Sequence, residues 1–62
     1  MTRYLIEDLN THCDYEFYDY TSAHKKYNDL LNASPKPQLI MTNFTPDYLH
    51  SIIVKRVIQS TI

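Results

Sequence analysis

Asp14-Tyr15-Glu16-Phe17-Tyr18-Asp19-Tyr20, running straight into Thr21-Ser22-Ala23, alternates carboxylates with aromatic rings and then loses the alternation. Period-two alternation is the pattern of a strand with two unlike faces, and its loss beside a capping residue marks a helix start. The stretch predicts a strand followed by a helix, with the remainder of a very small domain packed against that unit. Tyr15 and Phe17 fall on one strand face, the natural core face, and Glu16, Tyr18 and Tyr20 on the other. Asp19 or Thr21 can cap the helix by accepting a backbone N–H bond.

That helix is expected over 22–33. Ala23, Tyr27, Leu30 and Leu31 recur at i, i+4, i+7 and i+8, which makes one apolar stripe. Lys25 precedes Asp29 by four residues, a spacing that allows a minor ion pair. Ser34-Pro35-Lys36-Pro37 ends the helix, because a proline biases the residue before it away from helical backbone.

Upstream, Arg3 to Leu9 alternates as a first strand, and Asn10-Thr11-His12 forms the turn to the second. The chain contains no glycine, so Asn10 is the natural residue for a positive φ in that turn. Downstream, Gln38 to Asn43 contains the continuous apolar run Leu39-Ile40-Met41, the pattern of a buried and central strand. Thr45-Pro46-Asp47 then resembles a helix start: an N-cap, a proline at the first helical position and a carboxylate at the positive end of the dipole. Tyr48, Leu49, Ile52, Ile53 and Val57 would share one face of that last helix, with Val54 and Ile58 widening it. The run is also β-branched, which lowers helix propensity. A shorter helix followed by a last strand is the alternative, and the helix is the preferred reading.

The order is therefore β-β-α-β-α: a single α+β domain over residues 1–62, with two helices packed on one face of a three-stranded sheet. Sixty-two residues bury only about 60% of their unfolded surface. Cys13 alone cannot form an internal disulfide, and no Cys/His spacing suggests structural zinc. Oligomerisation is the remaining means of stabilising so small a core, so a homodimer is expected. Its interface would be the wide apolar helix face, with Tyr48, Ile52, Val54 and Ile58 at the contact.

The formal charge is −1, but it is unevenly placed. Residues 1–34 hold three basic against six acidic side chains, and residues 35–62 hold Lys36, Lys55 and Arg56 against Asp47 alone. Such a polar chain suits head-to-tail or dimeric self-contact, or a basic partner for the acidic half. Asp14, Glu16, Tyr18, Asp19 and Tyr20 are the candidate partner-binding residues. Tyrosines supply rigid contact area, and carboxylates among them steer a positively charged protein.

The expected function is a small regulator or inhibitor that binds a protein with a basic surface. The alternative is a nucleic-acid-binding regulator using Lys36, Lys55 and Arg56 across a dimer. The histidines, His12, His24 and His50, are read as solvated side chains. No metal, cofactor or catalytic residue is expected, and the chain is not expected to be an enzyme. A glycine-containing phosphate loop is impossible without glycine. No apolar run has the length of a membrane span, and no secretory signal is visible, so the cytoplasm is the expected compartment. Richness in Tyr, Asn, Lys and Ile fits a phage or mobile-element protein from an AT-rich genome.

Overall fold

A computed structural model describes residues 2–47 and 52–62. The elements are β1 (Arg3–Asp8), β2 (Cys13–Phe17), α1 (Tyr20–Ala33), β3 (Leu39–Asp47) and β4 (Ile52–Ser60). The four strands form one antiparallel sheet in the order β2-β1-β3-β4. Helix α1 packs on β1, β2 and β3 and does not reach β4.

This corrects the expected fold class. Among the described residues the chain has four strands rather than three and one helix rather than two, in the order β-β-α-β-β. The apparent helix start at Thr45-Pro46-Asp47 is the end of β3, and Ile52 begins a strand. The physical reason is that Ile52, Ile53, Val54, Val57 and Ile58 are all β-branched. Such residues lose rotamer freedom in a helix and suit a pleated sheet. Pro46 is tolerated because β1 pairs with β3 no further than Phe44, so β3 has one neighbour there instead of two. The strand in the alternative reading is present; Tyr48, Leu49 and His50 lie outside the described residues.

The hairpin β1–β2 pairs Tyr4 with Phe17 and Ile6 with Tyr15. These four face α1, while Leu5, Glu7, Asp14 and Glu16 face the other way. The buried Asp8 carboxylate accepts from the Asn10 and Thr11 amides at 3.0 and 3.4 Å, folding the chain into the turn. The positive φ of that turn falls on His12 (59°), not on Asn10. Histidine, like asparagine, is enriched there among non-glycine residues. Asn10 is used instead to donate its side-chain amide to the Lys36 carbonyl at 3.0 Å.

β2 ends at Phe17, three residues sooner than its alternation suggests, and Tyr20 belongs to the helix. Asp19 explains the stop. Its backbone is extended, and its Oδ2 accepts from the Ser22 amide at 2.8 Å, so the chain turns at the cap. The helix ends at Ala33, with Ser34 extended ahead of Pro35. Thr61 anchors the connector that follows: its hydroxyl donates to the Pro37 carbonyl and accepts from the Leu39 amide. That pinning aims Leu39 into the interior.

The core is Ile6, Ala23, Tyr27, Leu39 and Met41, with Tyr4, Tyr15, Phe17, Leu30 and Leu31 packed around it. The apolar stripe expected for α1 is thus the one that it buries. Met41 and Ile6 are register partners on the inner strands, and Ala23 lets the helix backbone approach them closely.

Burial raises the Tyr27 phenol above its ordinary pKa, because the phenolate would lose its hydration. The unfolded chain ionises this group near pH 10, roughly the unperturbed value. Its contribution to stability is therefore complete below that pH and lost as pH climbs through the raised folded value. Urea midpoints measured from pH 8 upward should fall above about pH 10, and Tyr27→Phe should fall less. An identical alkaline fall in both proteins would assign the effect to other groups.

Candidate protein-binding edge

Strand β2 is one edge of the sheet, and its turn into α1 continues that edge. Asp14 and Glu16 are exposed on the sheet face away from the helix. Tyr18 and Tyr20 are 62% and 48% exposed. Four of the five candidate partner-binding residues therefore offer accessible surface along one border of the molecule. The fifth, Asp19, is also exposed, but one of its oxygens is committed to the cap.

The register adds a residue that the alternation could not show. Glu7 of β1 lies directly opposite Asp14 of β2, on the same uncovered face. Like charges directly across an antiparallel pair are destabilising. Glu7, Asp14 and Glu16 thus concentrate negative charge at one side of the sheet, and only Arg3 lies among them. Its Nη1 meets Glu16 Oε1 at 3.2 Å, the one ion pair among the described residues, and its guanidinium carbon stands 5.3 Å over the Tyr18 ring. The expected Lys25–Asp29 pair is not among those contacts.

Arg3 was missed by sequence reasoning, though the signal was present. Folding the hairpin about Asn10–His12 puts position 3 beside position 18, the continuation of the Tyr4–Phe17 pairing. Tyr20 is held differently from Tyr18. It meets the edge of Tyr4 at 5.9 Å and stacks on His24 at 5.5 Å, so it braces the helix to β1 as well as facing solvent. His24 is accordingly half-buried rather than a free solvated side chain. On the helix side of β2, Lys26 Nζ lies 4.6 Å from the Tyr15 ring centre.

The uncovered face changes character across the sheet. Past the carboxylates come Leu5, Ile40 and Phe44, all half-buried, and a buried Thr42. Lys55 lies opposite Phe44 and Val57 opposite Thr42, on β4. The sheet is acidic at one edge, apolar in the middle and basic at the other edge.

The residues assigned to an oligomer contact do not form a helix stripe. Ile52, Val54 and Ile58 are on β4, and Tyr48 lies outside the described residues. Lys36, Lys55 and Arg56 are not brought together. Lys36 sits beside the β1–β2 turn, while Lys55 lies toward the opposite end of the sheet, opposite Phe44, itself the partner of Arg3. Lys55 and Arg56, adjacent on a strand, point to opposite faces. No group of side chains among the described residues has the arrangement of a metal site, and no described helix is long and apolar enough to cross a membrane. Cys13 is exposed at the start of β2.

No protein-family model, curated protein or solved structure matches the chain. The functional reading therefore stands on the geometry of this edge.

The Asp19 cap separates stability from recognition. Asp19→Ala should cost about 1 kcal/mol in urea unfolding, the usual cost of losing an N-cap, while Asp19→Asn should retain most of the stability. Equal stability of all three proteins would show that the cap contributes nothing.

Proposed function

We propose that this chain is a protein-binding module, a small self-associating regulator or inhibitor of the cytoplasm, encoded by a phage or mobile element. It presents the β2 edge and the Tyr18–Tyr20 turn to a basic segment of another protein. It acts by binding and not by catalysis. The observation that carries this reading is the placement of Glu7 opposite Asp14, with Glu16 beside them, on an uncovered face next to an open strand edge.

Three physical terms favour a basic, extended partner. An edge strand has backbone N–H and C=O groups that another strand can pair with. The carboxylates attract positive charge, and its arrival relieves their mutual repulsion. Tyr18 supplies an exposed ring beside them for contact area or for stacking a guanidinium. The Arg3 guanidinium carbon already stands 5.3 Å over this ring, and a partner's guanidinium would make the same kind of contact.

Among the described residues, the separation of Lys36 from Lys55 and Arg56 gives nucleic-acid binding no comparable surface.

The test uses a synthetic peptide of alternating lysine and valine, labelled for fluorescence anisotropy, with an alternating serine–valine peptide as control. The basic peptide alone should bind, and more weakly as salt rises. Asp14→Asn combined with Glu16→Gln should weaken it by about tenfold, equivalent to about 1.4 kcal/mol. Asp19 is left intact so that the helix cap is undisturbed. Equal binding of both peptides, or no effect of the double substitution, would remove the acidic edge as the site.

A further inference from the structure

We infer that a second copy of this chain pairs with the β2 edge through its own β4, so that copies add head to tail into one continuous sheet. The inference rests on the acidic edge assigned above and names an occupant for it that the chain itself carries. Among the described residues neither outer strand pairs with a further strand, and the two are opposite in charge. β2 bears Asp14 and Glu16, and β4 bears Lys55 and Arg56.

Charge selects among the possible edge pairings. β2 against a second β2 brings carboxylates together, and β4 against a second β4 brings Lys55 and Arg56 together. Only β2 against β4 joins opposite charges. Direction agrees as well. Both β2 and β3 run antiparallel to β1, and β4 runs antiparallel to β3, so β4 is antiparallel to β2. A second copy in the same orientation, placed one strand spacing of about 4.8 Å beyond β4, therefore makes an antiparallel pair with its helix on the same side.

The register follows from the faces. Lys55 and Glu16 both lie on the uncovered face, so they can stand opposite one another. Tyr15 then falls opposite Arg56 and Asp14 opposite Val57; beyond Val57 the regular alternation of β4 is broken at Ile58, the extra residue of a bulge against β3. Asp14 is also the diagonal neighbour of Lys55, within reach of its long side chain. Lys26, which lies over the Tyr15 ring, is the like charge brought near Arg56. Both are long side chains at the border of the sheet, able to extend into solvent.

The helix position supports the same arrangement. Since α1 packs on β1, β2 and β3 but not on β4, the helix side of β4 is bare at the exposed Arg56, and on the uncovered face Val57 is 59% exposed. An added copy brings its own helix-covered β2 alongside this bare strand. Such a contact is heterologous and does not close on itself, so assembly proceeds beyond a dimer.

The experiment combines charge exchange with cross-linking, and circular dichroism confirms that each variant is folded. In low salt, light scattering should show the mass of the wild-type chain rising with concentration past that of a dimer. Glu16→Lys alone and Lys55→Glu alone should each remain monomeric. An equimolar mixture of the two, and the single chain carrying both changes, should regain the higher mass. Separately, a chain carrying Cys13→Ser, Asp14→Cys and Val57→Cys should cross-link to a neighbouring copy under mild oxidation, because residues opposite on paired strands have Cα separations compatible with a disulfide. The product should be a ladder of dimer, trimer and larger species, and the chains carrying Cys13→Ser with only one of the two new cysteines should not go beyond a dimer.

A wild-type monomer at every concentration would overturn the inference. So would Glu16→Lys associating as the wild type does, or a cross-linked product of the two-cysteine chain that stops at a dimer. If any of these occurs while the lysine–valine peptide still binds, the acidic edge keeps its foreign partner and loses only this one.

Discussion

The seating of Tyr27 and Ala23 on Ile6, Leu39 and Met41 is the contact on which the rest of the molecule depends. Among the described residues it is where the helix and both inner strands meet in full burial. A ring the size of Tyr27 removed from such a site costs about 3–5 kcal/mol. A domain of 62 residues has about 3–9 kcal/mol in all, at 0.05–0.15 kcal/mol per residue. One side chain therefore accounts for a large share of what keeps the sheet folded. The devices around it serve that contact. The Asp19 cap fixes where the helix begins, Asp8 and His12 close the β1–β2 turn, and Thr61 holds the connector so that Leu39 arrives at the right register.

A single helix cannot cover a four-stranded sheet. Placed over β2, β1 and β3, α1 buries one face of three strands, and among the described residues no helix lies on β4 or on the opposite face. The residues on that opposite face show the compromise. Leu5, Ile40 and Phe44 are half-buried, and Thr42, which is opposite Leu5 and between Ile40 and Phe44 along β3, is buried, so the middle of the face is partly shielded. The charges are pushed to the borders. What distinguishes this molecule chemically is therefore a consequence of having too little helix for its sheet.

The first two-thirds of the fold was legible because its signals are local. The alternation of Tyr15 and Phe17, the stripe of Ala23, Tyr27, Leu30 and Leu31, and the stop at Pro35 each fix an element from a few neighbouring residues. The last third was not, because two local signals contradict each other. Thr45-Pro46-Asp47 offers a cap, a favourable proline and a dipole partner, all worth about a kcal/mol or less each. Ile52 to Ile58 offers a β-branched run whose preference is realised only against a neighbouring strand. Thr42 to Asp47 provides that neighbour, and eight paired positions along the two strands outweigh a cap. Of the candidate site, the residue types were legible and their setting was not. Glu7 and Arg3 join the acidic edge through cross-strand register, which no spacing along the chain displays.

Charge asymmetry along the sequence need not produce asymmetry in space, since folding commonly mixes the two ends of a chain. Here the topology preserves it. The acidic β2 lies at one edge because β1 takes the inner position between it and β3, and the basic β4 lies at the other edge because it follows β3 outward. Moving either strand inward would set carboxylates and cations side by side and cancel the field. In the observed order β1 and β3 lie between the two outer strands. The separation costs the molecule the local ion pairs it could have made, leaving the carboxylates of Glu7 and Asp14 directly opposed. In the monomer, this order gains no stability from the opposite charges at the two edges. It becomes favourable once each edge meets a surface of the other sign, which makes the charge distribution an argument about association rather than about folding.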